Sequence, residues 1–162
     1  MQTNPVLDTA SLRLVLETTE SMLARIDALS PADRAQVSPA WLEQMRTSPP
    51  SAWTHGFAMV DRATNAAVGS AGFKGPPADG MVEIAYGVDP EYQGRGYAKE
   101  AAAALVDFAF SNGDVRVVRA HTLPEKNAST SVLTACGFEF LGQVMDPDDG
   151  LVWRWELAAR NG

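Results

Sequence analysis

The feature that most constrains this sequence is a glycine-containing loop between a strand-like segment and an alanine-rich segment. The loop follows a strand that ends near Val88, and it reads Gln93-Gly94-Arg95-Gly96-Tyr97-Ala98. The segment from Lys99 to Phe110 predicts a helix, so the loop lies at a helix N-terminus, where N–H groups lack partners and the helix dipole favours anions. The loop is therefore suited to binding a diphosphate, and an ordinary turn before a helix is the alternative.

Two better-known phosphate-binding motifs do not fit this loop. A Walker loop requires Lys-Ser or Lys-Thr after its second glycine, and the chain has neither there. A dinucleotide-binding fingerprint requires a third glycine where this chain has Lys99, and Asp114 at the appropriate distance does not compensate for it.

Three segments, in the same order, resemble the GNAT family of N-acetyltransferases. The loop matches the family's pyrophosphate signature Gln-x-x-Gly-x-Ala, and Val82 to Val88 is similar to the family's fourth strand. The segment from His121 to Thr130, closed by Cys136-Gly137-Phe138, is similar to its later segment that contacts coenzyme A. The resemblance covers about residues 53–157, and it is strongest to the branch that acetylates the N-termini of ribosomal proteins.

The order of the predicted elements indicates an α+β fold. Apolar periodicity and turn residues predict strands at 12–16, 53–60, 67–73, 81–88, 115–122, 138–144 and 151–157, and helices at 20–29, 41–45, 95–112 and 128–135. A strand–helix–strand unit among antiparallel hairpins predicts a mixed sheet, and the last hairpin turns at Asp148-Asp149-Gly150. The resemblance implies a GNAT-type sheet, mostly antiparallel, flanked by helices and with a splayed central strand pair, in one domain over residues 1–162.

The composition excludes several classes of protein. The single cysteine, Cys136, rules out an internal disulfide, and His55 and His121 lack a third ligand at metal spacing, so we expect no metal site. No apolar run reaches transmembrane length and no signal peptide is recognisable, which favours the cytoplasm and no membrane partner. The net charge of -7 argues against nucleic acid and favours a cationic acceptor. Whether the chain forms a homodimer is left open.

Glu83 is the candidate general base. An alkyl ammonium has a pKa near 10.4, so acetyl transfer to an amine near neutral pH requires a group that removes a proton. The resemblance implies this role for Glu83, acting through water from the fourth strand. The alternative is a solvated carboxylate on a half-exposed strand.

Gly87 and Val88 are the candidate main-chain contacts to the cofactor. A glycine inside a strand indicates a bulge or a close backbone approach. The resemblance implies that pantetheine enters a gap beside this strand, where the Val88 N–H would polarise the thioester carbonyl. A glycine that is merely tolerated near the strand end before Pro90 is the alternative.

Two residues near the following helix are candidates for contacting coenzyme A. The family's usual tyrosine acid, four residues before its Gly-Phe pair, is replaced here by Leu133. The resemblance implies that Ser129 assists the leaving thiolate and that Asn127 contacts the cofactor. Asn and Ser also favour helix N-termini, so either residue could instead cap the helix at 128–135.

The sequence therefore predicts an acetyl-CoA-dependent N-acetyltransferase that uses direct attack in a ternary complex, without a metal. Leu133 in place of the usual tyrosine keeps a non-catalytic module that binds coenzyme A open as the alternative. The acceptor, a small-molecule or peptide amine, is expected between residues 19–53 and the last hairpin, but no motif there identifies it.

Overall fold

A computed structural model of the chain describes residues 6–35, 37–47, 51–147 and 150–159. The strands in these ranges are β1 (Val6–Asp8), β2 (Leu12–Leu16), β3 (Phe57–Asp61), β4 (Ala67–Phe73), β5 (Met81–Val88), β6 (Val117–Thr122), β7 (Glu139–Asp146) and β8 (Gly150–Ala158). The helices are α1 (Thr19–Asp27), α2 (Pro31–Arg34), α3 (Pro39–Thr47), α4 (Tyr97–Ser111) and α5 (Ala128–Ala135), with a 3₁₀ turn at Pro90–Tyr92.

The eight strands form one mixed sheet, in the spatial order β1-β2-β3-β4-β5-β6-β8-β7. The β5–β6 pair is parallel, and the other neighbouring strands described pair antiparallel. Parallel neighbours need a crossover connection, which α4 supplies between β5 and β6. The predicted mixed, mostly antiparallel sheet with flanking helices is confirmed.

The core lies between α4 and one face of the central strands. Val82 and Ile84 of β5 are buried, and they alternate with side chains that point to the opposite face of the sheet. On α4, Ala101 and Leu105 are fully buried at helical spacing and face these strands. Small alanines on this helix let its backbone come close to the sheet, which fixes where the helix begins relative to the end of β5.

The central strand pair separates toward the end of β5. Pairing between β5 and β6 runs from Met81↔Val117 to Ile84↔Ala120 and ends there, although β5 continues to Val88. Over the same stretch β5 stays paired with β4, as far as Gly69↔Val88. The splayed pair that the resemblance implied is thus present, and its gap lies between the last residues of β5 and those of β6.

Gly87 lies in a regular part of the β4–β5 pairing, next to Gly69 of β4, a position where only glycine fits. The register between β4 and β5 advances one residue at a time from Phe73↔Ile84 to Gly69↔Val88, so the predicted bulge is wrong for this pairing. Within the protein no close approach requires glycine at position 87, since a Cβ there would meet nothing within 4 Å, and a close approach by a ligand stays a prediction. The close contact belongs to Gly69, whose Cβ would stand 2.2 Å from the Gly87 carbonyl oxygen. Gly69 must therefore be glycine for β4 to pack here.

We expect Gly69→Ala to destabilise the protein by roughly 2 kcal/mol or more, because its methyl group would overlap a backbone oxygen that cannot rotate away. Gly87→Ala is the matched control: a Cβ at Gly87 meets nothing within 4 Å, so the fold should tolerate it. Urea unfolding of the two variants measures the difference. Equal stability for both would contradict the close approach.

Most predicted elements are present with bounds that differ by a few residues, and the largest difference is at the start of β3. The strand predicted from Trp53 begins only at Phe57, because residues 51–55 turn, with the His55 N–H donating to the Ser51 carbonyl at 2.9 Å. The sequence did not predict β1 or α2. Both are short: β1 has three residues and α2 has four. The predicted turn residues Asp148 and Asp149 lie outside the described residues.

His55 holds α1 against the start of β3. The imidazole is 1% exposed and lies between two threonine hydroxyls, with Nε2 2.5 Å from Thr19 Oγ1 and Nδ1 2.8 Å from Thr54 Oγ1. Burial lowers the pKa of His55, because the charged ring loses its hydration. Its role is structural, since Nε2 ties the ring to α1 and Nδ1 ties it to the turn that precedes β3.

Candidate active site

The glycine loop presents backbone donors at the start of α4. Gly94 and Gly96 have left-handed φ angles of 82° and 84°, and a Cβ at either would meet nothing within 4 Å. Gly96 is the N-cap of α4, and no described side chain caps the helix there, so its first N–H groups face open space. The Gln93 Nε2 donates to the Val88 carbonyl at 3.0 Å, which ties the loop to the end of β5.

A first cavity, of ≈ 320 Å³, runs from this loop to the end of β5 and to α5. It brings together most of the residues that the sequence selected for the cofactor. Its walls are formed by Tyr86, Gly87, Val88, Tyr92, Gln93, Gly94, Gly96, Tyr97, Ala98, Lys99, Ala128, Ser129 and Val132. Of the predicted site residues, Glu83, Arg95 and Asn127 do not line it.

Backbone orientation decides which groups of β5 face the gap beside β6. The Glu83 carbonyl accepts from the Lys74 N–H and the Asp89 N–H donates to the Val68 carbonyl, both at 2.8 Å, so odd-numbered residues of this strand turn their backbone groups toward β4. The backbone groups of Tyr86 and Val88 consequently face the gap. The Val88 N–H thus faces the gap, and its contact with a thioester carbonyl stays a prediction, whereas the backbone groups of Gly87 are directed at β4.

The side chains of Arg95 and Tyr97 point away from the first cavity. The Arg95 guanidinium lies 5.6 Å from the centre of the Tyr92 ring. The Tyr97 hydroxyl donates to Asp61, and this hydrogen bond is the main cause of a lowered pKa for Asp61 and a raised pKa for Tyr97. Tyr97 thus anchors the loop to the end of β3, and only its backbone is available to a ligand in the cavity.

Asn127 is the N-cap of α5. Its Oδ1 accepts from the Thr130 N–H at 3.1 Å, and the Thr130 Oγ1 accepts from the Asn127 N–H at 3.0 Å. The capping alternative is therefore confirmed for Asn127, and its contact with a cofactor remains a prediction. Ser129 is not the cap and lines the first cavity, so the capping alternative is wrong for Ser129.

Sequence reasoning missed Tyr86. The phenol lies on the α4 side of β5 and lines the first cavity, and its hydroxyl is buried with no hydrogen-bond partner among the described residues. Burial raises the pKa of Tyr86 to about 12, against a smaller lowering by the Ser129 hydroxyl. The Ser129 oxygen is therefore near the phenol without a well-formed hydrogen bond. Alternation along β5 could have placed the ring on this face, but nothing in the sequence shows an unpaired hydroxyl.

Glu83 belongs to a network of charges on the opposite face of the sheet. Its Oε2 lies 3.0 Å from Lys74 Nζ and 3.2 Å from His121 Nδ1, and its side chain is 17% exposed. The Arg154 Nε donates to His121 Nε2 at 3.0 Å, so the ring proton is assigned to Nδ1, which donates to Glu83. The alternative of a solvated carboxylate is wrong, since Glu83 is paired and mostly buried.

A second cavity, of ≈ 450 Å³, lies on the face that carries Glu83. α1 and α3 close it through Met22, Arg25 and Trp41, and the sheet side is formed by Gly56, Ser70, Ala71, Gly72, Phe73, Lys74, Ala85, Tyr86 and Gly87. The two cavities share Tyr86 and Gly87, so they meet where β5 has left β6.

The charged side chains lining the second cavity, in the described part of the chain, are Arg25 and Lys74. Each is paired with a glutamate: Arg25 with Glu17, and Lys74 with Glu83. Burial raises the pKa of Glu17, and Arg25 opposes this shift. The walls are therefore nearly neutral overall, and the acidity of the whole chain is not concentrated in this cavity.

The described residues contain no group of three or more His, Cys, Asp or Glu side chains that could hold a metal ion. None of their helices is both long enough and apolar enough to cross a membrane.

Comparison with known proteins gives a family and a fold. The model of the acetyltransferase (GNAT) domain matches residues 8–139. An N-acetyltransferase named p20 from Bacillus licheniformis, described as uncharacterized, is 28% identical over 91 residues, which are 56% of this chain and 51% of that protein. The chain thus spans about half the length of this relative.

Solved structures of acetyltransferases share the whole fold. The ribosomal-protein-S5-alanine acetyltransferase from Vibrio fischeri aligns with a TM-score of 0.70 at 15% identity, over 96% of this chain and 97% of that chain. The ribosomal L7/L12 alpha-N-protein acetyltransferase RimL, solved in complex with coenzyme A, aligns with a TM-score of 0.70 at 17% identity, over 95% and 98%. The predicted likeness to ribosomal-protein acetyltransferases is confirmed at the level of the fold.

Proposed function

Because the chain belongs to the acetyltransferase (GNAT) family, we propose that it is an acetyl-CoA-dependent N-acetyltransferase that acetylates a primary amine by direct attack in a ternary complex. One observation carries this proposal: two cavities on opposite faces of the sheet meet at Tyr86 and Gly87, beside the gap between β5 and β6. A donor in one cavity and an acceptor in the other would bring their reacting atoms together at this opening.

The first cavity is the proposed site of acetyl-CoA. The uncapped N–H groups at Gly96 and the start of α4 would bind the diphosphate, which the helix dipole also favours. Pantetheine would lie along the gap and pair with the backbone of Tyr86 and Val88 in place of β6. The Val88 N–H would then donate to the thioester carbonyl as negative charge develops on its oxygen.

Glu83 is the proposed base, acting through water. It lies four residues before Gly87, which places it about 13 Å along the strand from the opening, too far for direct proton transfer. Glu83 and Gly87 lie on the same face of the sheet, the face that carries the second cavity. A chain of waters along β5 would therefore connect them. The ion pair with Lys74 and the contact with His121 hold the carboxylate in place on this face of the sheet.

The second cavity is the proposed site of the acceptor. Trp41 and Met22 give it apolar walls, and its paired charges disfavour an unpaired cation deep inside. The likeness to ribosomal-protein acetyltransferases favours a peptide or protein N-terminus over a polyamine. The net charge of -7 would still attract a cationic acceptor over longer distances, with an effect that salt weakens.

We expect the protein to release the thiol of coenzyme A from acetyl-CoA only when an amine acceptor is present. A panel of peptides, amino acids, polyamines and aminoglycosides, followed by a thiol reagent, measures this. Calorimetry with acetyl-CoA, coenzyme A and ATP tests the cofactor separately. Tight binding of coenzyme A without turnover would favour the non-catalytic module, and turnover limited to hydroxyl or thiol acceptors would contradict N-acetylation.

A further inference from the structure

Tyr86 lines both cavities and carries a buried phenolic hydroxyl that has no well-formed hydrogen bond among the described residues. The hydroxyl oxygen is buried, and no described residue makes a well-formed hydrogen bond with it, although the Ser129 hydroxyl is near. Buried polar groups are nearly always hydrogen-bonded, because desolvating them without a partner is unfavourable. Tyr86 nevertheless lines the first cavity together with Ser129, so its buried hydroxyl lies beside the space that a bound molecule would fill. The geometry indicates that the missing partner belongs to a ligand.

A second hydroxyl, that of Ser129, lies near the Tyr86 hydroxyl. Ser129 is the second residue of α5, two residues after the cap at Asn127, and it lines the first cavity together with Tyr86. The capping interactions use Asn127 and Thr130, which leaves the Ser129 hydroxyl outside that network. Two hydroxyl donors from different elements, β5 and α5, thus converge on one part of the cavity. Convergent donors of this kind suit an atom that carries negative charge.

We propose that Tyr86 donates a hydrogen bond to the sulfur of coenzyme A as the thiolate leaves, with Ser129 as the second donor. This inference rests on the proposed function and adds a catalytic residue to it. In the step, the amine nitrogen forms the new C–N bond, the C–S bond breaks, and its electron pair stays on sulfur. The amine proton leaves toward the Glu83 side of the sheet, and solvent protonates the thiolate after release.

Tyr86 acts as a donor that keeps its proton. A pKa of about 12 for this phenol lies well above that of a free thiol, near 8.5, so transfer of its proton to the thiolate is unfavourable. A hydrogen bond to the developing charge lowers the energy of the leaving group without that transfer. The alkaline limb of the pH–rate profile should therefore contain no step that belongs to Tyr86.

The test is the pKa of the coenzyme A thiol in the bound state, measured from the ultraviolet absorbance of the thiolate as a function of pH. Two donors should lower this pKa relative to free coenzyme A, and Tyr86→Phe should raise it again by roughly one unit. Tyr86→Phe should also lower kcat by roughly 10- to 100-fold while the Kd for acetyl-CoA changes by less than about twofold. Ser129→Ala should act in the same direction.

Stability separates this role from a structural one. Because the hydroxyl has no partner in the protein, Tyr86→Phe should unfold at the same or a higher urea concentration than the wild type. A clear loss of stability would show that Tyr86 bonds within the fold and would overturn the inference. So would a bound thiol whose pKa is the same in the wild type and Tyr86→Phe.

The titration also distinguishes this inference from the proposed function. It requires binding of coenzyme A and no acceptor, so it can succeed before any acceptor is identified. If coenzyme A does not bind, the proposed function fails and this inference fails with it. If coenzyme A binds with an unperturbed thiol, the cofactor assignment stands and the role of Tyr86 is wrong.

Discussion

Replacing Gly96 with aspartate is expected to weaken acetyl-CoA binding roughly 100-fold, as the loss of one or two charge-assisted hydrogen bonds would. Gly96 is the N-cap of α4, and the space above it is open, so the new carboxylate would stand where the diphosphate is proposed to bind. It would occupy the N–H groups itself and would repel the anion. Isothermal titration calorimetry with acetyl-CoA measures the change.

Two variants separate charge from backbone strain. Gly96→Ala imposes the same left-handed φ of 84° on a side chain without charge, and it should cost much less affinity. Gly150→Asp adds the same charge at a φ of 78°, also into open space, in the β7–β8 hairpin away from the loop. It should leave acetyl-CoA affinity unchanged. Unchanged affinity in folded Gly96→Asp would mean that this loop does not bind the diphosphate.

Glu83→Gln is expected to lower kcat/KM roughly 100-fold near neutral pH and to leave acetyl-CoA affinity nearly intact, because it removes the base and not the cofactor site. The loss should shrink as the pH rises. The free amine fraction increases about tenfold per pH unit below the amine pKa of roughly 10.4, so less of the rate depends on a base. Steady-state rates from pH 6 to 10 provide the measurement.

Glu156→Gln is the matched control for the charge change. Glu156 lies on the same face of the sheet and pairs with Arg119 at 2.6 Å, as Glu83 pairs with Lys74. Removing its charge breaks a comparable ion pair away from the second cavity. The ratio of kcat/KM in Glu156→Gln to kcat/KM in the wild type should therefore be the same at every pH. If the ratio of kcat/KM in Glu83→Gln to that in the wild type were also independent of pH, Glu83 would be a structural ion-pair partner and not the base.

The local signals in the sequence predicted the elements that carry the cofactor site. The loop from Gln93 to Ala98 and the helix at 128–135 lie where their glycines, caps and apolar spacing placed them. These features depend on residues close together in the chain, for which turn and capping preferences are strong. The separation of β5 from β6 came from the family resemblance, since no residue at 85–88 specifies it alone.

The features that the sequence did not predict depend on contacts distant in the chain. The unpaired hydroxyl of Tyr86 follows from what surrounds it on α5, and the contact between Gly69 and Gly87 joins two strands. The pairing of Glu83 with His121 and Lys74 likewise needs three strands to be in register. A periodic pattern gives the face on which a side chain lies, but it does not give the partner that meets it there.

The most direct test of direct transfer between the two cavities is a rapid-quench experiment with isotopically labelled acetyl-CoA and an acceptor amine. Intact-protein and small-molecule mass spectrometry would follow the acetyl group through a single turnover. We predict that the label moves from coenzyme A to the amine nitrogen at the rate at which acetyl-CoA disappears, with no acetylated protein at any time. An acetyl group that appears first on the protein, on Cys136 above all, and then passes to the amine would contradict direct attack.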